Sequence, residues 1–496
     1  MCCLRGEGGL FGLCREIILI SKVLDFKNVF IDGYLSVIMV NLNFSPGDYV
    51  RLKLAKEEIE GRVLESADSS IVLLKLKTGY NIGILKENIY GGRALKKFKP
   101  SSISHPPPVR KEEGKKTVGL IMTGGTIVNK LDPRTGGVAP LTEVGEFAKF
   151  YPELFEMVNV KIDSPFMIAS ESMDSNHWKK IAESCEKMLN DPAIEGVIIT
   201  HGTDFLHYTA AALSFFLKNL NKPVALTYSQ RSSDRASSDA NLNLKCAARM
   251  ALSNCAEVVL VGHANTDDDF CYAMLGTKVR KLHTSKRDAF KPVNISPLAK
   301  IWPDKADQLN LSAAFNCSVN SQPTEKNRGT KLVDYKEKIE FLREHRPRNN
   351  NKVELDLDYS DKVALVKFYP GQDSDILDHY ALKYKGIVIE GSGLGHLPVS
   401  EAAHNWLPKL KKHIREGLVV CVSSQCIFGR VDEYVYSNLR ELAESGVIFL
   451  EDMLSETALV KLGWVLGHHG WKGKAKEKML ENVAGELNER LGVSDI

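Results

Sequence analysis

The chain has 496 residues, 44% of them hydrophobic and 26% charged, so it is too long for a single core and its composition excludes fibres and disordered proteins. Its 65 basic and 62 acidic residues leave a formal charge of +3, which excludes a strong global field directed at nucleic acid or membranes. A local basic patch is still compatible with this balance.

The amino-terminal segment and the cysteines predict a cytoplasmic protein. The apolar stretch LFGLCREIILISKVL is interrupted by Arg15 and Glu16, so it fits neither a membrane span nor a signal-peptide core. Residues 1–38 are separate in character from the polar, turn-led start after Met39, and we expect them to be a poorly ordered extension. The 10 cysteines form no CxxC pair and predict reduced thiols.

The first folded element is predicted to be a small β-barrel domain over residues 39–97. The runs YVRLKL, IEGRVLE, SIVLLKLK and NIGILKENI are short, partly alternating and separated by polar or glycine-containing breaks. The next segment, 98–116, contains SSISHPPPVRKEEGKK, whose consecutive prolines and charges are typical of an extended linker.

Two α/β domains with parallel sheets follow. Apolar runs such as TVGLIM and GVIIT alternate with amphipathic segments over 117–325, and a second set of this kind covers 356–470. The charged, Asn-rich stretch 326–355 is predicted to connect them, and 471–496 is predicted to be a terminal amphipathic helix.

The motif TGGTI directly follows the strand VGLIM. Paired glycines allow a sharp turn beyond the carboxyl end of a strand, where open α/β sheets bind ligands. The motif is neither GxGxxG nor a P-loop, so it does not predict a nucleotide site. On its own it is compatible with a strand-ending turn whose hydroxyl groups are incidental.

A second motif, HGTD, follows the strand GVIIT and precedes a helical segment. Thr203 and Asp204 are therefore predicted to lie at a helix amino terminus. They fit equally well as capping residues for free N–H groups and as residues that hold a substrate carboxylate or relay a proton.

The third motif, TKVRKLHTSKRDAF, is rich in basic residues. Its default interpretation is a solvated charged loop, and the alternative is a lysine that exchanges protons with a neighbouring carboxylate in a closed pocket. The polar stretch SQRSSDRASSDA lies between the second and third motifs and is denser in Arg, Asp and Ser than an ordinary connector.

Taken together and in this order, TGGTI, HGTD and RKLHT resemble the L-asparaginase family of amidohydrolases over residues 117–467. The β-rich amino-terminal domain, QRSSDRASSDA, EGSGLGH and EDMLSETALVKLGWVLG resemble more narrowly the D subunits of archaeal glutamyl-tRNA(Gln) amidotransferases. The resemblance implies an asparaginase-like pair of parallel-sheet α/β domains, preceded by the small β-barrel domain.

The resemblance also implies a reaction and its residues. A threonine hydroxyl attacks a side-chain amide, and water hydrolyses the acyl-enzyme without a metal. When the family's motifs are matched to this sequence, Thr126 is implied to be the candidate nucleophile. Thr203, Asp204 and Lys281 are implied to form the proton-handling group. A threonine hydroxyl needs such a group because it is a poor nucleophile until a base removes its proton. A loop is expected to close over the site and exclude water.

Substrate contacts and partners follow from the same resemblance. Ser170 and Glu171 are implied to hold the α-carboxylate and α-amino groups of glutamine. The expected partner is the tRNA-binding E subunit, which binds Glu-tRNA(Gln) and uses ATP and Mg, whereas this chain has no cofactor of its own. A homodimer within a heterotetramer is expected, without membrane contact.

One departure from the family pattern concerns the activation of the nucleophile. Many asparaginases have a tyrosine in the loop after TGGTI, but this chain has none before Tyr151. Two alternatives are a free-standing L-asparaginase and a catalytically silent scaffold that docks a partner. The amino-terminal β domain disfavours the first, and the complete set of candidate catalytic residues disfavours the second.

Overall fold

The structure is a computed structural model that describes residues 44–98, 111–131, 138–140, 144–233, 235, 237–303, 339–400 and 402–492. The predicted extension over 1–38 and much of the predicted linker lie outside these residues. A small unit holds the described residues up to 98, and a large unit holds nearly all described residues from 111 onward. No helix of the described part is long and apolar enough to cross a membrane.

The small unit is an antiparallel sheet of five strands, ordered β4-β3-β2-β1-β5. Its strands are β1 Tyr49–Lys53, β2 Glu58–Leu64, β3 Ile71–Lys75, β4 Asn81–Leu85 and β5 Gly91–Lys96, with a 3₁₀ turn at Lys86–Asn88. Alternate apolar residues of these strands form one buried cluster. The predicted small β domain is thus confirmed. Among its described residues, β4 and β5 are the two edge strands of the sheet and do not pair with each other.

The larger sheet of the large unit has eight strands, ordered β18-β17-β14-β13-β12-β10-β6-β9. Five of them are parallel: β6 Thr117–Met122, β9 Asn159–Asp163, β10 Ile194–Thr200, β12 Val224–Thr227 and β13 Val258–His263. The other three are antiparallel: β14 Cys271–Leu275, β17 Ala299–Ile301 and β18 Ile339–Phe341. The sheet is therefore mixed. The connection between β13 and β14, residues 264–270, is too short to hold a crossover helix, so β14 runs antiparallel to β13.

The second sheet has four parallel strands in sequence order: β20 Val363–Lys367, β21 Gly386–Gly391, β22 Val419–Ser424 and β23 Ile448–Phe449. Three two-stranded ribbons pair the remaining strands: β7 Asn129–Leu131 with β8 Val138–Pro140, β11 Leu217–Lys218 with β19 Glu354–Leu355, and β15 Val279–Lys281 with β16 Phe290–Pro292.

Helices pack on both sheets. Their bounds are Val144–Phe150, Pro152–Met157, Ser175–Leu189, Leu206–Phe216, Ala240–Leu252, Asp375–Lys383, Leu407–Arg415, Ser437–Glu444, Ser455–Gly467 and Ala475–Leu480, with 3₁₀ turns at Thr126–Val128, Ser170–Ser172 and His469–Trp471. Phe215 stacks on Trp464 with ring centroids 5.5 Å apart, so helices 206–216 and 455–467 join the cores of the two sheets.

The predicted terminal helix over 471–496 is limited to Ala475–Leu480 in the described residues. Two buried charges explain why the helix ends early. Lys461 donates to the carbonyl of Met479 at 3.0 Å, and its ammonium pairs with Glu486, both side chains being fully buried. Since the Glu486 carboxylate also accepts the backbone N–H groups of Val483 and Ala484, the chain turns there instead of continuing as a helix.

Candidate active site

The three motifs meet at a cavity of about 330 Å³ beyond the carboxyl ends of β6 and β10. Its lining comes from the loops after β6, β9 and β10: Gly124, Gly125, Thr126, Asn129, Met167, Ile168, Ala169, Ser170, Glu171, Gly202, Thr203 and Asp204. Five of the six predicted site residues line it directly, and Lys281 reaches it through hydrogen bonds to Thr203 and Asp204.

The two glycines of TGGT let three loops approach each other backbone to backbone. Gly124 and Gly125 have φ angles of +130° and +87°, which favour glycine. A Cβ atom on Gly124 would meet the carbonyl oxygen of Ile168 at 2.2 Å, and one on Gly125 would meet the carbonyl oxygen of His201 at 2.4 Å. Side chains at these positions would therefore push the TGGT, 167–171 and HGTD loops apart.

The two threonines of TGGT have different surroundings. Thr123 is buried, and its hydroxyl donates to the carbonyl of Thr200 at 2.8 Å, which ties the end of β6 to the end of β10. Thr126 opens the 3₁₀ turn after the glycines and is half-buried at the cavity. Of the two, Thr126 is thus the hydroxyl that a substrate in the cavity can reach.

Lys281 connects the residues of the HGTD loop. Its Nζ donates to Thr203 Oγ1 and to Asp204 Oδ1, each at 2.8 Å. The lysine side chain is only 10% exposed, whereas the aspartate is 63% exposed. The ammonium is thus shielded, while the carboxylate faces the open side of the site.

Strand β15, which carries Lys281, is anchored by the loop that follows β23 and by the first turn of helix 455–467. Lys278 Nζ lies 2.6 Å from the Asp452 carboxylate, and both side chains are completely buried. Arg280 pairs with Glu456 at 2.9 Å, and the Thr457 hydroxyl donates to the carbonyl of Thr277 at 2.8 Å. The carboxyl-terminal half of the large unit therefore positions the lysine at the site.

The predicted substrate-binding residues lie on the 3₁₀ turn at 170–172. Ser170 is buried, and its Oγ accepts a long hydrogen bond, 3.4 Å, from the N–H of Phe205 just after HGTD. Glu171 is exposed and lines the same cavity, so its carboxylate can attract a substrate ammonium group.

Two supporting residues were missed by sequence reasoning. His201 is fully buried between the carbonyl of Gly202, 2.7 Å from Nδ1, and the hydroxyl of Thr209, 2.9 Å from Nε2. Because a carbonyl only accepts, Nδ1 carries the proton and Nε2 accepts from Thr209. Burial lowers the pKa of His201 to about 4, so the ring that holds HGTD is neutral.

The second is Tyr151, whose hydroxyl donates to the carbonyl of Ile127 at 2.6 Å. Tyr151 is buried beneath the 3₁₀ turn that begins at Thr126, and burial raises its pKa above the usual range. It therefore supports the backbone next to the candidate nucleophile. In the sequence, Tyr151 is marked only as a tyrosine that follows the loop in which the family pattern places one. Of that loop, residues 132–137 and 141–143 lie outside the described part.

The stretch SQRSSDRASSDA folds around Asp239. The carboxylate accepts the N–H groups of Gln230 and Arg231 and the hydroxyl of Ser229 at 2.9–3.1 Å. Its high density of polar residues therefore has a structural role here, as the start of helix 240–252. In the described part, the one group with metal-ligand spacing is Asp356, Asp358 and His468, which does not line the cavity.

Three family models match the chain. The amino-terminal asparaginase domain matches residues 117–314, the glutaminase/asparaginase carboxyl-terminal domain matches 362–480, and the GatD amino-terminal domain matches 44–91. The L-asparaginase of Thermococcus kodakarensis superposes with a TM-score of 0.61 at 27% identity, covering 75% of this chain and all of that chain. L-asparaginase I of Vibrio cholerae gives a TM-score of 0.59 at 26% identity, covering 75% of this chain and 99% of that chain.

Relatives that match nearly the whole chain are more specific. The D subunit of the glutamyl-tRNA(Gln) amidotransferase of Pyrococcus furiosus is 45% identical over 451 residues, covering 89% of this chain and 94% of that protein. The corresponding D subunit of Archaeoglobus fulgidus is 41% identical over 442 residues, covering 89% of this chain and 95% of that protein. Both alignments extend over the small β domain as well as the asparaginase-like unit. The chain therefore belongs to the family of glutamyl-tRNA(Gln) amidotransferase D subunits.

Proposed function

We propose that this chain is the glutaminase subunit of a tRNA-dependent amidotransferase. It hydrolyses glutamine to glutamate and supplies ammonia for the conversion of Glu-tRNA(Gln) to Gln-tRNA(Gln). One observation carries the chemistry: Lys281 is hydrogen-bonded to both Thr203 and Asp204 at the cavity that Thr126 lines. The small β domain and the family membership connect this amidohydrolase site to tRNA-dependent amide formation.

In the proposed first step, Thr126 Oγ1 attacks the side-chain carbonyl carbon of glutamine. The hydroxyl proton passes to the group formed by Thr203, Lys281 and Asp204. The C–N bond then breaks, the leaving nitrogen takes up a proton from this group, and ammonia departs. An acyl ester of Thr126 remains.

In the second step, water attacks the ester carbonyl. The same proton-handling group accepts a proton from this water, and the Thr126 oxygen takes a proton as it leaves. The net reaction consumes one glutamine and one water and yields glutamate and ammonia. Splitting the hydrolysis in this way requires that Thr126 and Thr203 have different roles, although both are threonines at one cavity.

Substrate orientation is assigned to the 170–171 turn. Glu171 attracts the α-ammonium group of glutamine, and Ser170 together with nearby backbone N–H groups orients the α-carboxylate. Charge-assisted hydrogen bonds of this kind fix a small zwitterion more firmly than neutral contacts do.

The partner in this proposal is the tRNA-binding E subunit, which binds Glu-tRNA(Gln) and uses ATP and Mg to activate the glutamate. The present chain contributes no cofactor, works in the cytoplasm and forms a homodimer within a heterotetramer. The names of its relatives as a lettered subunit of an amidotransferase support a multisubunit complex.

The test is a donor assay in the reconstituted complex with ATP and Glu-tRNA(Gln). Wild type should form Gln-tRNA from glutamine and from ammonium, whereas Thr203→Ala and Lys281→Ala should use ammonium alone. Glutamine-dependent product with either variant would overturn the site assignment. If the isolated chain hydrolysed asparagine at a rate that neither the partner nor the tRNA changed, a free-standing asparaginase would be favoured. If no amide released ammonia even in the complete complex, the chain would be a scaffold.

A further inference from the structure

A series of hydrogen bonds runs through the large unit from Tyr228, the residue before SQRSSDRASSDA, to the segment that follows Lys281. Asn243 begins it, because its side-chain Nδ2 donates to the carbonyl of Tyr228 at 3.0 Å. The ring of His263, at the end of β13, comes next, with Nδ1 2.6 Å from Asn243 Oδ1 and Nε2 3.1 Å from Asp268 Oδ1. Both ring nitrogens of His263 therefore have a close polar neighbour.

Both neighbours of the His263 ring are hydrogen-bond acceptors. An ionised carboxylate only accepts, and the pKa of Asp268 is lowered, mainly by its hydrogen bond with His263. Asn243 presents its oxygen to the ring, because its Nδ2 lies near two other acceptors, the Tyr228 carbonyl at 3.0 Å and Asp239 Oδ2 at 3.4 Å. Each ring nitrogen must therefore donate, so His263 carries both protons and is an imidazolium, although it is completely buried.

Asp268 is the counter-ion of this buried ring. It is exposed to solvent, and its Oδ1 also accepts from Arg287 Nη1 at 2.6 Å, so one carboxylate joins two cations. The thiol of Cys271 lies 3.4 Å from Asn243 Oδ1, and burial raises the pKa of this thiol, so it is neutral and donates to the oxygen. A buried charge is costly unless it is paired and hydrogen-bonded. The pair with His263 therefore fixes the position of Asp268.

Arg287 lies in the 282–289 loop, which joins β15 to β16. Its guanidinium donates to the Asp268 carboxylate and to the backbone carbonyl of Thr266. Its own backbone carbonyl accepts the hydroxyl of Tyr228 at 2.8 Å. The hydrogen bonds thus form a closed chain, whose members are Tyr228, Asn243, His263, Asp268 and Arg287.

The closed chain holds the loop that adjoins the proton-handling lysine. Leu282, the residue after Lys281, donates its N–H to the carbonyl of Ala289 at 2.7 Å. The strand register places Lys281 opposite Phe290, whose ring packs against Tyr228 with centroids 4.7 Å apart. A shift of the loop would therefore reach Lys281 through its partner strand.

We propose that His263 is a positioning residue for glutamine hydrolysis. As an imidazolium it holds Asp268 and Arg287. These two residues in turn fix the 282–289 loop and, with it, the position of Lys281. The inference rests on the proposed function, because that function assigns Lys281 to proton transfer. Misplacing a catalytic group by about 1 Å can lower turnover about 10²-fold, so such a hold has a measurable effect.

The kinetic test compares Asp268→Ala, Arg287→Ala and the double variant in the reconstituted complex. Each single variant should lower kcat for glutamine about 10- to 100-fold and leave KM nearly unchanged, because the lysine is displaced and the substrate contacts are kept. The double variant should be no slower than the slower single variant, since both substitutions interrupt the same chain. Gln-tRNA formation from ammonium should stay at the wild-type rate.

The matched control for Arg287→Ala is Arg346→Ala. Arg346 forms an arginine–carboxylate pair with Glu257, the residue that precedes the opposite end of β13, and its loss should leave kcat unchanged. Wild-type kcat in either single variant, losses that multiply in the double variant, or an equal loss in the control would overturn the proposal. A loss of the ammonium-fed reaction would equally overturn it, because the defect would then lie outside the glutaminase site.

The protonation of His263 is tested without an activity measurement, by NMR of protein isotope-labelled at its histidine nitrogens. Both ring nitrogens should have the chemical shift of a protonated nitrogen at neutral pH. The signal is identified by its absence in His263→Gln and, independently, by its change in Asp268→Ala. An unprotonated ring nitrogen would overturn the positioning role alone. If the spectrum showed both protons and the wild-type complex released no ammonia from glutamine, the proposed function would fail and the positioning role with it.

Discussion

Lys281 Nζ lies 2.8 Å from Thr203 Oγ1, although the two residues are 78 positions apart in the chain. This contact distinguishes the two threonines of the cavity. The Thr203 hydroxyl accepts a hydrogen bond from Lys281, within the group to which we assign proton handling, whereas the Thr126 hydroxyl lies at the start of a turn and has no such partner among the described residues.

Replacing each threonine by valine should separate their roles, since valine keeps the shape and removes the hydroxyl. Thr203→Val should lower kcat about 10²- to 10⁴-fold, with KM for glutamine little changed, because proton transfer is lost and binding is kept. Thr126→Val should form no acyl-enzyme at all. Mass spectrometry of acid-quenched enzyme checks this, and an acyl group found on Thr203 would reverse the assignment.

The glycines of TGGT should tolerate no side chain. Gly125→Ala places a Cβ 2.4 Å from the His201 carbonyl oxygen, so we expect the TGGT and HGTD loops to separate and glutamine turnover to fall at least tenfold. Gly371→Ala is the matched control, since Gly371 has a φ of +80° and open space around its Cβ position. It should cost roughly 1–2 kcal/mol in stability, because an L-residue is strained at this φ, and leave turnover unchanged. Equal turnover in the two variants would contradict the role assigned to close loop packing.

β–α alternation in the sequence was sufficient to predict that TGGT and HGTD lie at one edge of a parallel sheet, whereas the individual site residues were predicted from the family resemblance. It could not place the supports that come from distant segments. Asp452 and Glu456 reach Lys278 and Arg280 across more than 170 positions, and no local pattern records such pairs. His201 was missed for a related reason: its role depends on burial, which a single residue type does not reveal.

The buried Lys278–Asp452 pair should be a strong anchor of the large unit. Asp452→Ala leaves an unpaired ammonium in a completely buried site and should destabilise the protein by about 3–5 kcal/mol. The comparison variant is Glu481→Ala, which removes the surface partner of Lys478 and should leave the urea midpoint almost unchanged, because a solvent-exposed ion pair contributes little to stability. Urea denaturation monitored by tryptophan fluorescence measures both. Similar midpoints for the two variants would contradict the importance of burial.

Buried His201 should make the large unit sensitive to acid. Its pKa is lowered by burial from 6.5 to about 4, so the unfolded chain binds a proton at this position more readily than the folded chain. The contribution to stability is therefore present above pH 6.5 and is lost as the pH falls toward 4. Linkage gives a loss of roughly 1.4 kcal/mol between pH 7.5 and pH 5.5 from this group alone.

The corresponding measurement is the urea midpoint of wild type and His201→Gln at pH 7.5 and 5.5. The variant should be less stable at pH 7.5, because it loses the imidazole ring that hydrogen-bonds to both the Gly202 carbonyl and the Thr209 hydroxyl. Its stability should nevertheless fall less than that of wild type when the pH is lowered to 5.5. His469→Gln, which removes an exposed histidine, should retain the full wild-type acid sensitivity. An unchanged acid sensitivity in His201→Gln would mean that His201 does not titrate in this range, and that other groups account for the acid response.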